Sequence, residues 1–345
     1  MVNDHAGSNL PAGASAKVEA PTCAPGDAPA LRIVYFGTPQ FAVPTLEALI
    51  ASRHVVSGVI TQPDRPKGRG QRLQPTPVKA TALAHDVPVW QPERLREPGV
   101  QETLQGWAPD LGVVAAYGKL IPENLLAVPR LGMINVHASL LPKYRGAAPI
   151  QRAVIDGQAE TGVTIMRVIK ALDAGAMLDR VHCPIGPDDT SDVIERNLSE
   201  RGASLLLDVV EGLSHGAVPE EPQDDRLATY AARLTRAEGL IDWTLPATAI
   251  HNRVRGLYPW PHAYTYVGDA RLIVLTTRLD PGAGSDAPPG AIVVASADGI
   301  RVATGHGGQI VILQVQPEAR RAMSARDFLG GHPLTPGTSF GNSPS

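Results

Sequence analysis

Met133-Ile-Asn-Val-His-Ala-Ser-Leu-Leu-Pro142 is the stretch on which the reading of this chain turns. Ile134 and Val136 alternate with Asn135 and His137, the period-two pattern of a short strand. Successive strand side chains point to opposite faces, so Asn135 and His137 share one face while Ile134 and Val136 pack on the other. Pro142 cannot continue a central strand, which puts the polar pair at the strand's carboxyl end, where open α/β sheets hold ligands. A neutral hydrogen-bond donor then stands beside a side chain that exchanges a proton near neutral pH. That pair suits a carbonyl carbon passing through a tetrahedral, oxyanionic state. Taken alone, it equally suits two polar side chains satisfied at a strand end.

Working outward, residues 31–36 form an apolar run ended by Gly37, a buried first strand, and Pro44 opens a helical pattern through Leu46, Leu49 and Ile50. Strands are expected at 55–60, 88–90, 111–115 and 163–169, and helices at 77–85, 99–107, 147–155 and 192–213. Strand and helix alternating at this spacing imply an α/β domain with a parallel sheet covered on both faces. The pattern changes after Leu213. Residues 214–226 hold Gly, two prolines and several acids, a linker composition. Five short β runs follow, at 263–267, 272–276, 291–295, 300–303 and 310–315, separated by Gly and Asp turns. They fit a small closed barrel of the OB type, a fold that often binds oligonucleotides but does not by itself prove it.

The 345 residues favour two domains, and a 43% hydrophobic fraction can fill two cores. No apolar run approaches the roughly 18–20 residues needed to span a bilayer, so no membrane partner is expected. A net charge of −3 argues against a generally basic nucleic-acid coat but leaves room for a local basic patch. Cys23 and Cys183 form no C-x-x-C pair, which excludes a cysteine-based zinc site and a disulfide scaffold and fits a reducing, cytoplasmic setting. Residues 1–30 lack periodicity, an apolar signal core and arginine enrichment. They are expected to be a disordered extension, like the end of the chain from 336 to 345.

Two further segments carry chemistry. Leu172-Asp173-Ala-Gly175 follows the 163–169 strand; it is either a turn former or the source of a carboxylate that orients a histidine. Whether Asp173 meets His137 depends on strand ends lying side by side. Thr61-Gln-Pro-Asp-Arg-Pro-Lys-Gly-Arg-Gly-Gln-Arg-Leu-Gln-Pro75 sets Arg65, Lys67, Arg69 and Arg72 against one acid, Asp64, with Gly and Pro expected to exclude regular structure. Most such loops are simply solvated. This one follows a sheet strand on the ligand side, which makes it a reasonable arm for a phosphate backbone. A dinucleotide site is excluded: the Gly37-Thr-Pro-Gln-Phe-Ala42 turn has one glycine, and Pro39 lacks an N–H.

With Asn135-Val-His-Ala-Ser-Leu-Leu-Pro142, Arg145-Gly-Ala-Ala-Pro-Ile150 and Leu172-Asp-Ala-Gly175, the chain resembles the folate-dependent formyltransferases. Phe36-Gly-Thr-Pro39, Gln62-Pro-Asp-Arg-Pro66 and Tyr258-Pro-Trp-Pro261 are similar to the tRNA-formylating branch of that family, over about residues 31–329. The resemblance implies a Rossmann-like catalytic domain with a mostly parallel sheet (31–213), a linker (214–236) and a smaller OB-like tRNA-binding barrel (237–335). It further implies 10-formyltetrahydrofolate as co-substrate without a metal, and initiator methionyl-tRNA as acceptor in translation initiation, with no obligate protein partner.

Asn135 and His137 would bind the formyl oxygen, and Asp173 would orient His137 and help move the proton. Ser139, Leu140, Leu141 and Pro142 would lie against the folate, with the 113–117 strand end lining the pterin pocket. Arg65, Lys67, Arg69 and Arg72 would enter the acceptor end of the tRNA. Similar enzymes usually carry a second acid where this chain has Ala176. Two rivals stay open: a folate formyltransferase or hydrolase with a small acceptor, and a non-catalytic RNA-binding protein.

Overall fold

The computed structural model describes residues 28–341 apart from 68–71, 217, 281 and 283. In chain order the first domain comprises Arg32–Gly37 (β1), Val43–Ala51 (α1), Val55–Ile60 (β2), Arg65–Lys67 (β3), Arg72–Gln74 (β4), Pro77–Ala84 (α2), Val89–Trp90 (β5) and Val100–Gly106 (α3). It continues through Leu111–Ala115 (β6), Glu123–Leu126 (α4), Met133–His137 (β7), Arg145–Gly146 (β8), Pro149–Ile155 (α5), Glu160–Arg167 (β9), Met177–Pro184 (β10) and Ser191–Ser214 (α6). Helix starts follow local chemistry: α1, α2 and α5 have a proline in the first turn, and the Thr76 hydroxyl caps α2 by accepting from Lys79 N–H at 3.1 Å.

Seven strands form one sheet in the order β10-β9-β7-β6-β1-β2-β5. From β5 to β7 the strands run parallel, while β9 and β10 are antiparallel additions beyond β7. Alternation along β1 separates the two cores. Ile33 and Tyr35 join the layer with α1, α2, α5 and α6, whereas Val34 and Phe36 join the layer with α3 and α4. The strand order reverses between β1 and β6, so the crevice at their carboxyl ends, where Gly37 pairs with Ala115, is the topological switch point.

Tyr230–Ala231 (β11) pairs with β8, and the second domain follows with Ala247–Gly256 (α7). Its sheet holds Ala263–Val267 (β12), Ala270–Leu279 (β13), Ile292–Ser296 (β14), Gly299–Ala303 (β15) and Gln309–Pro317 (β16), with Met323–Ser324 (β17) beside β16 and Ala325–Gly331 (α8) after it. The order β12-β13-β16-β15-β14 leaves β12 and β14 as edges. Residues 336–341 of the segment expected to be a disordered tail fill that gap. Gly341 bridges Tyr266 in β12, Ser339 bridges Ala291 beside β14, and Phe340 is buried against Trp243 with ring centroids 5.5 Å apart. One aromatic side chain and an unpaired strand edge order a segment whose Gly, Thr and Ser composition looks loose. Residues 342–345, like 1–27, lie outside the described residues.

Helix α7 docks on α5: a Cβ at Gly256 would lie 2.5 Å from Ile155 Cγ1. His251 Nε2 donates to Pro187 O at 3.0 Å, and the buried Arg255 donates to Asp189 O at 2.9 Å. Among the described residues, no helix is long and apolar enough to cross a membrane.

Candidate active site

The carboxyl end of β7 brings the three expected residues together. His137 is buried and Asn135 half-buried on the same strand face, and Asp173 faces His137 from the bend between β9 and β10. β9 pairs antiparallel with β7, so the chain returns past His137 before it bends. Two backbone features shape that bend. Asp173 sits at φ +49°, a left-handed conformation that asparagine and aspartate tolerate better than most residues. Gly175 passes so close to β9 that a Cβ would overlap Arg167 O.

His137 Nε2 lies 3.0 Å from Tyr144 O. A carbonyl can only accept, so Nε2 carries the proton, and a neutral ring presents its Nδ1 lone pair. Nδ1 faces Asp173 Oδ2 at 3.9 Å, beyond hydrogen-bond range but within reach of an ion pair once the ring is protonated. Asp173 Oδ2 accepts from Gly146 N–H at 2.8 Å. The ring is therefore oriented by the Tyr144 carbonyl, a contact with no signature in the sequence, and the carboxylate faces it as a charge. Among the described residues, the Asn135 amide has no hydrogen-bond partner, so its two N–H groups are free to donate.

The stretch after β7 turns inward. Ser139 is buried and donates to Lys143 O at 2.6 Å, Leu141 is buried, and Leu140 lies over Gly162 on β9. A ligand can reach this stretch through its backbone and the half-exposed Pro142 and Leu140. At the switch point Tyr117 packs edge-on to Phe36, with centroids 5.5 Å apart. Its hydroxyl is buried without a hydrogen-bond partner among the described residues, and burial pushes its pKa up to about 12. An orphaned donor beside an apolar strand end fits the polar edge of a pterin ring. The Tyr117 carbonyl accepts from Gln62 Nε2 at 3.1 Å, linking this crevice to the root of the basic segment.

Residues 65–67 and 72–74 of that basic segment are regular, where its Gly and Pro content implied an irregular loop. β3 and β4 form a hairpin, with Arg65 opposite Gln74 and Lys67 opposite Arg72. Cross-strand pairing on either side of the glycines satisfies backbone groups that a solvated loop would leave to water. Arg65 is exposed, and Arg69 lies outside the described residues. Asp64 does not neutralise the arginines. It accepts from Lys79 Nζ and Gln91 Nε2, each at 2.6 Å, and these bonds hold its carboxyl below the usual range while pinning the hairpin's base.

The segment expected to be a linker packs against the site. Glu220 pairs with Arg167 and Glu221 with Arg180, β11 adds to β8, and Thr229 O accepts from Arg145 N–H at 2.9 Å. An open cleft of about 500 Å³ runs along it, lined by Lys143, Tyr144, Arg152 and Tyr230 among others. At the position of the missing second acid, Ala176 contributes a carbonyl that accepts from Arg167 N–H at 2.8 Å.

Residues 31–210 match the family model described as Formyl transferase, and 233–333 match Formyl transferase, C-terminal domain. The methionyl-tRNA formyltransferase of Trichlorobacter lovleyi is 47% identical over 307 residues, covering 89% of this chain and 96% of that protein. Its counterpart from Methylococcus capsulatus is 48% identical over 305 residues, covering 88% and 98%. Among solved structures, a sugar 3N-formyl transferase crystallised with dTDP and 5-N-formyl-THF superposes with a TM-score of 0.64 at 17% identity, covering 84% of this chain and 99% of that one. An N-formyltransferase from Helicobacter canadensis gives 0.61 at 16% identity, covering 82% and 98%, and shares the fold. By these matches over both of its domains, the chain belongs to the formyltransferase family, on the branch of the methionyl-tRNA formyltransferases.

Proposed function

We propose that the chain transfers the formyl group of 10-formyltetrahydrofolate to the α-amino group of methionyl initiator tRNA, in the cytoplasm, for translation initiation. The observation that carries this reading is the convergence of Asn135, His137 and Asp173 at the end of β7, in a chain 47% identical to a methionyl-tRNA formyltransferase over nearly its whole length. The folate supplies the formyl group and the departing N10. Pro142, the backbone of 139–142 and the Tyr117 crevice would hold it.

The nucleophile needs little help. An α-amine has a pKa of about 7.7–8.0, and an adjacent ester lowers it further, so a neutral fraction exists at neutral pH. Asn135 donates to the formyl oxygen as charge grows there, a contribution of about 2.7–4 kcal/mol for a typical oxyanion donor. His137 accepts a proton at Nδ1 from the attacking nitrogen and passes it toward N10, while Asp173 stabilises the imidazolium across 3.9 Å. Two acceptors at that separation can both lie about 2.8–3.0 Å from one amine nitrogen, so they are spaced to steer it. Arg65, Lys67, Arg69 and Arg72 engage the acceptor-end phosphates, and the barrel extends the RNA contact.

The test is formyl transfer from 10-formyltetrahydrofolate to methionyl initiator tRNA, compared with elongator tRNA and free methionine. The reading predicts rapid transfer to the initiator alone. Equal transfer to free methionine would favour a small acceptor, and transfer to none would favour a binding protein.

A further inference from the structure

Gln223 lies in the segment between the domains and touches none of the reacting groups assigned above, yet it grips the loop that carries one of them. Its Nε2 donates to Asp173 O at 2.9 Å and to Gly175 O at 2.8 Å. Its Oε1 accepts from Arg145 Nε at 2.9 Å and Nη2 at 2.8 Å. Carbonyls only accept and a guanidinium only donates, so the amide has one possible orientation and all its capacity is used. The Arg145 side chain is 3% exposed and also meets Asp225 Oδ1 at 2.8 Å. Arg145 in turn precedes Gly146, whose N–H donates to the Asp173 carboxylate. Gln223 thus closes a ring in which side chain, backbone and carboxylate of the 173–175 loop are held from both ends.

We propose that Gln223 is a positioning residue for formyl transfer, fixing the left-handed Asp173 turn so that its carboxylate faces His137. A turn at φ +49° stores strain and relaxes unless its surroundings over-determine it. The two carbonyl bonds from Gln223 supply that restraint directly on the residue and on the glycine that ends the turn. A purely structural role, stapling the interdomain segment to the sheet, is the alternative. That segment has independent anchors in the Glu220, Glu221 and β11 contacts, so loss of Gln223 leaves it attached.

The inference rests on the role given to Asp173, and the experiment separates the two. Gln223→Glu keeps the acceptor for Arg145 but turns an oxygen toward two carbonyls; Gln223→Met removes all four bonds at similar volume. Each is measured alone and combined with Asp173→Asn, by single-turnover formyl transfer across tRNA concentrations and by thermal unfolding. Should Gln223→Met fail to fold, Gln223→Glu, which leaves the buried Arg145 paired, carries the test. The expected result is a maximal rate lowered about 10- to 100-fold with half-saturating tRNA changed less than about twofold. In the Asp173→Asn background the further loss should shrink below about twofold, the non-additivity of residues acting as one unit. Multiplying losses, or a loss confined to half-saturating tRNA, would overturn the role of Gln223 alone. An unchanged rate in Asp173→Asn by itself would overturn the reading of Asp173, and the role of Gln223 with it.

Discussion

The end of β7 and the β3–β4 hairpin after β2 both lie at the carboxyl ends of the parallel strands, two strands apart, yet they are built in opposite ways. Around His137 most polar groups are already spoken for: Nε2 by Tyr144 O, the Asp173 carboxylate by Gly146 N–H, the Asp173 and Gly175 carbonyls by Gln223. The Asn135 amide and His137 Nδ1 are left without a hydrogen bond among the described residues. The hairpin is exposed and is tied at its base through Asp64, Lys79 and Gln91. The difference matches the tasks proposed for them. Proton transfer and oxyanion binding need groups fixed to within a fraction of an ångström, whereas capture of a phosphate backbone needs charge and reach.

Substitutions in the two regions should therefore fail in different observables. His137→Ala should cause the largest loss, lowering the single-turnover rate about 10²- to 10⁴-fold while tRNA affinity stays unchanged. Asn135→Ala comes next, at about 10²- to 10³-fold in rate, read in the same assay. A drop in tRNA affinity matching either loss would break the contrast.

At the hairpin the effects are smaller and fall on binding. Lys79→Met frees the base and should weaken tRNA binding several-fold with the maximal rate kept. The same anchor has a defined pH sense. The folded carboxyl of Asp64 is held below its ordinary value, so its contribution is fully present above that value and disappears as pH falls through the depressed one. Hydrogen exchange at the β3 and β4 amides, corrected for intrinsic rates, should then show protection unchanged from neutral pH to about pH 5, and loss of protection within that window would contradict the assignment. Arg65→Ala should be mildest, reducing affinity a few-fold and the salt slope by about one unit in a titration against ionic strength.

Much of this was legible from residue types. Period-two alternation at Ile134 and Val136 against Asn135 and His137, stopped by Pro142, located the strand end correctly, and buried runs such as 111–115 placed the parallel strands. What escaped depended on partners distant in sequence. The alternation of 177–184 is interrupted by consecutive exposed Asp179 and Arg180, because β10 is an edge strand with a register shift, so no clear pattern marked it. Phe340 is a lone aromatic in a loose stretch, and only the gap between β12 and β14 makes it structural. Gln223 sits among Glu, Pro and Asp in a linker composition; its four bonds exist because the segment crosses the 173–175 loop. Composition reports what a segment could do alone, and these segments are ordered by what they meet.

The most direct test of the division crosses the two regions in one measurement, single-turnover formyl transfer followed over a range of methionyl initiator tRNA concentrations for His137→Ala and Arg69→Ala. His137→Ala should lower the plateau rate at an unchanged half-saturating concentration, while Arg69→Ala should raise that concentration at a nearly unchanged plateau. An equal rise in half-saturating tRNA for both variants would contradict the division.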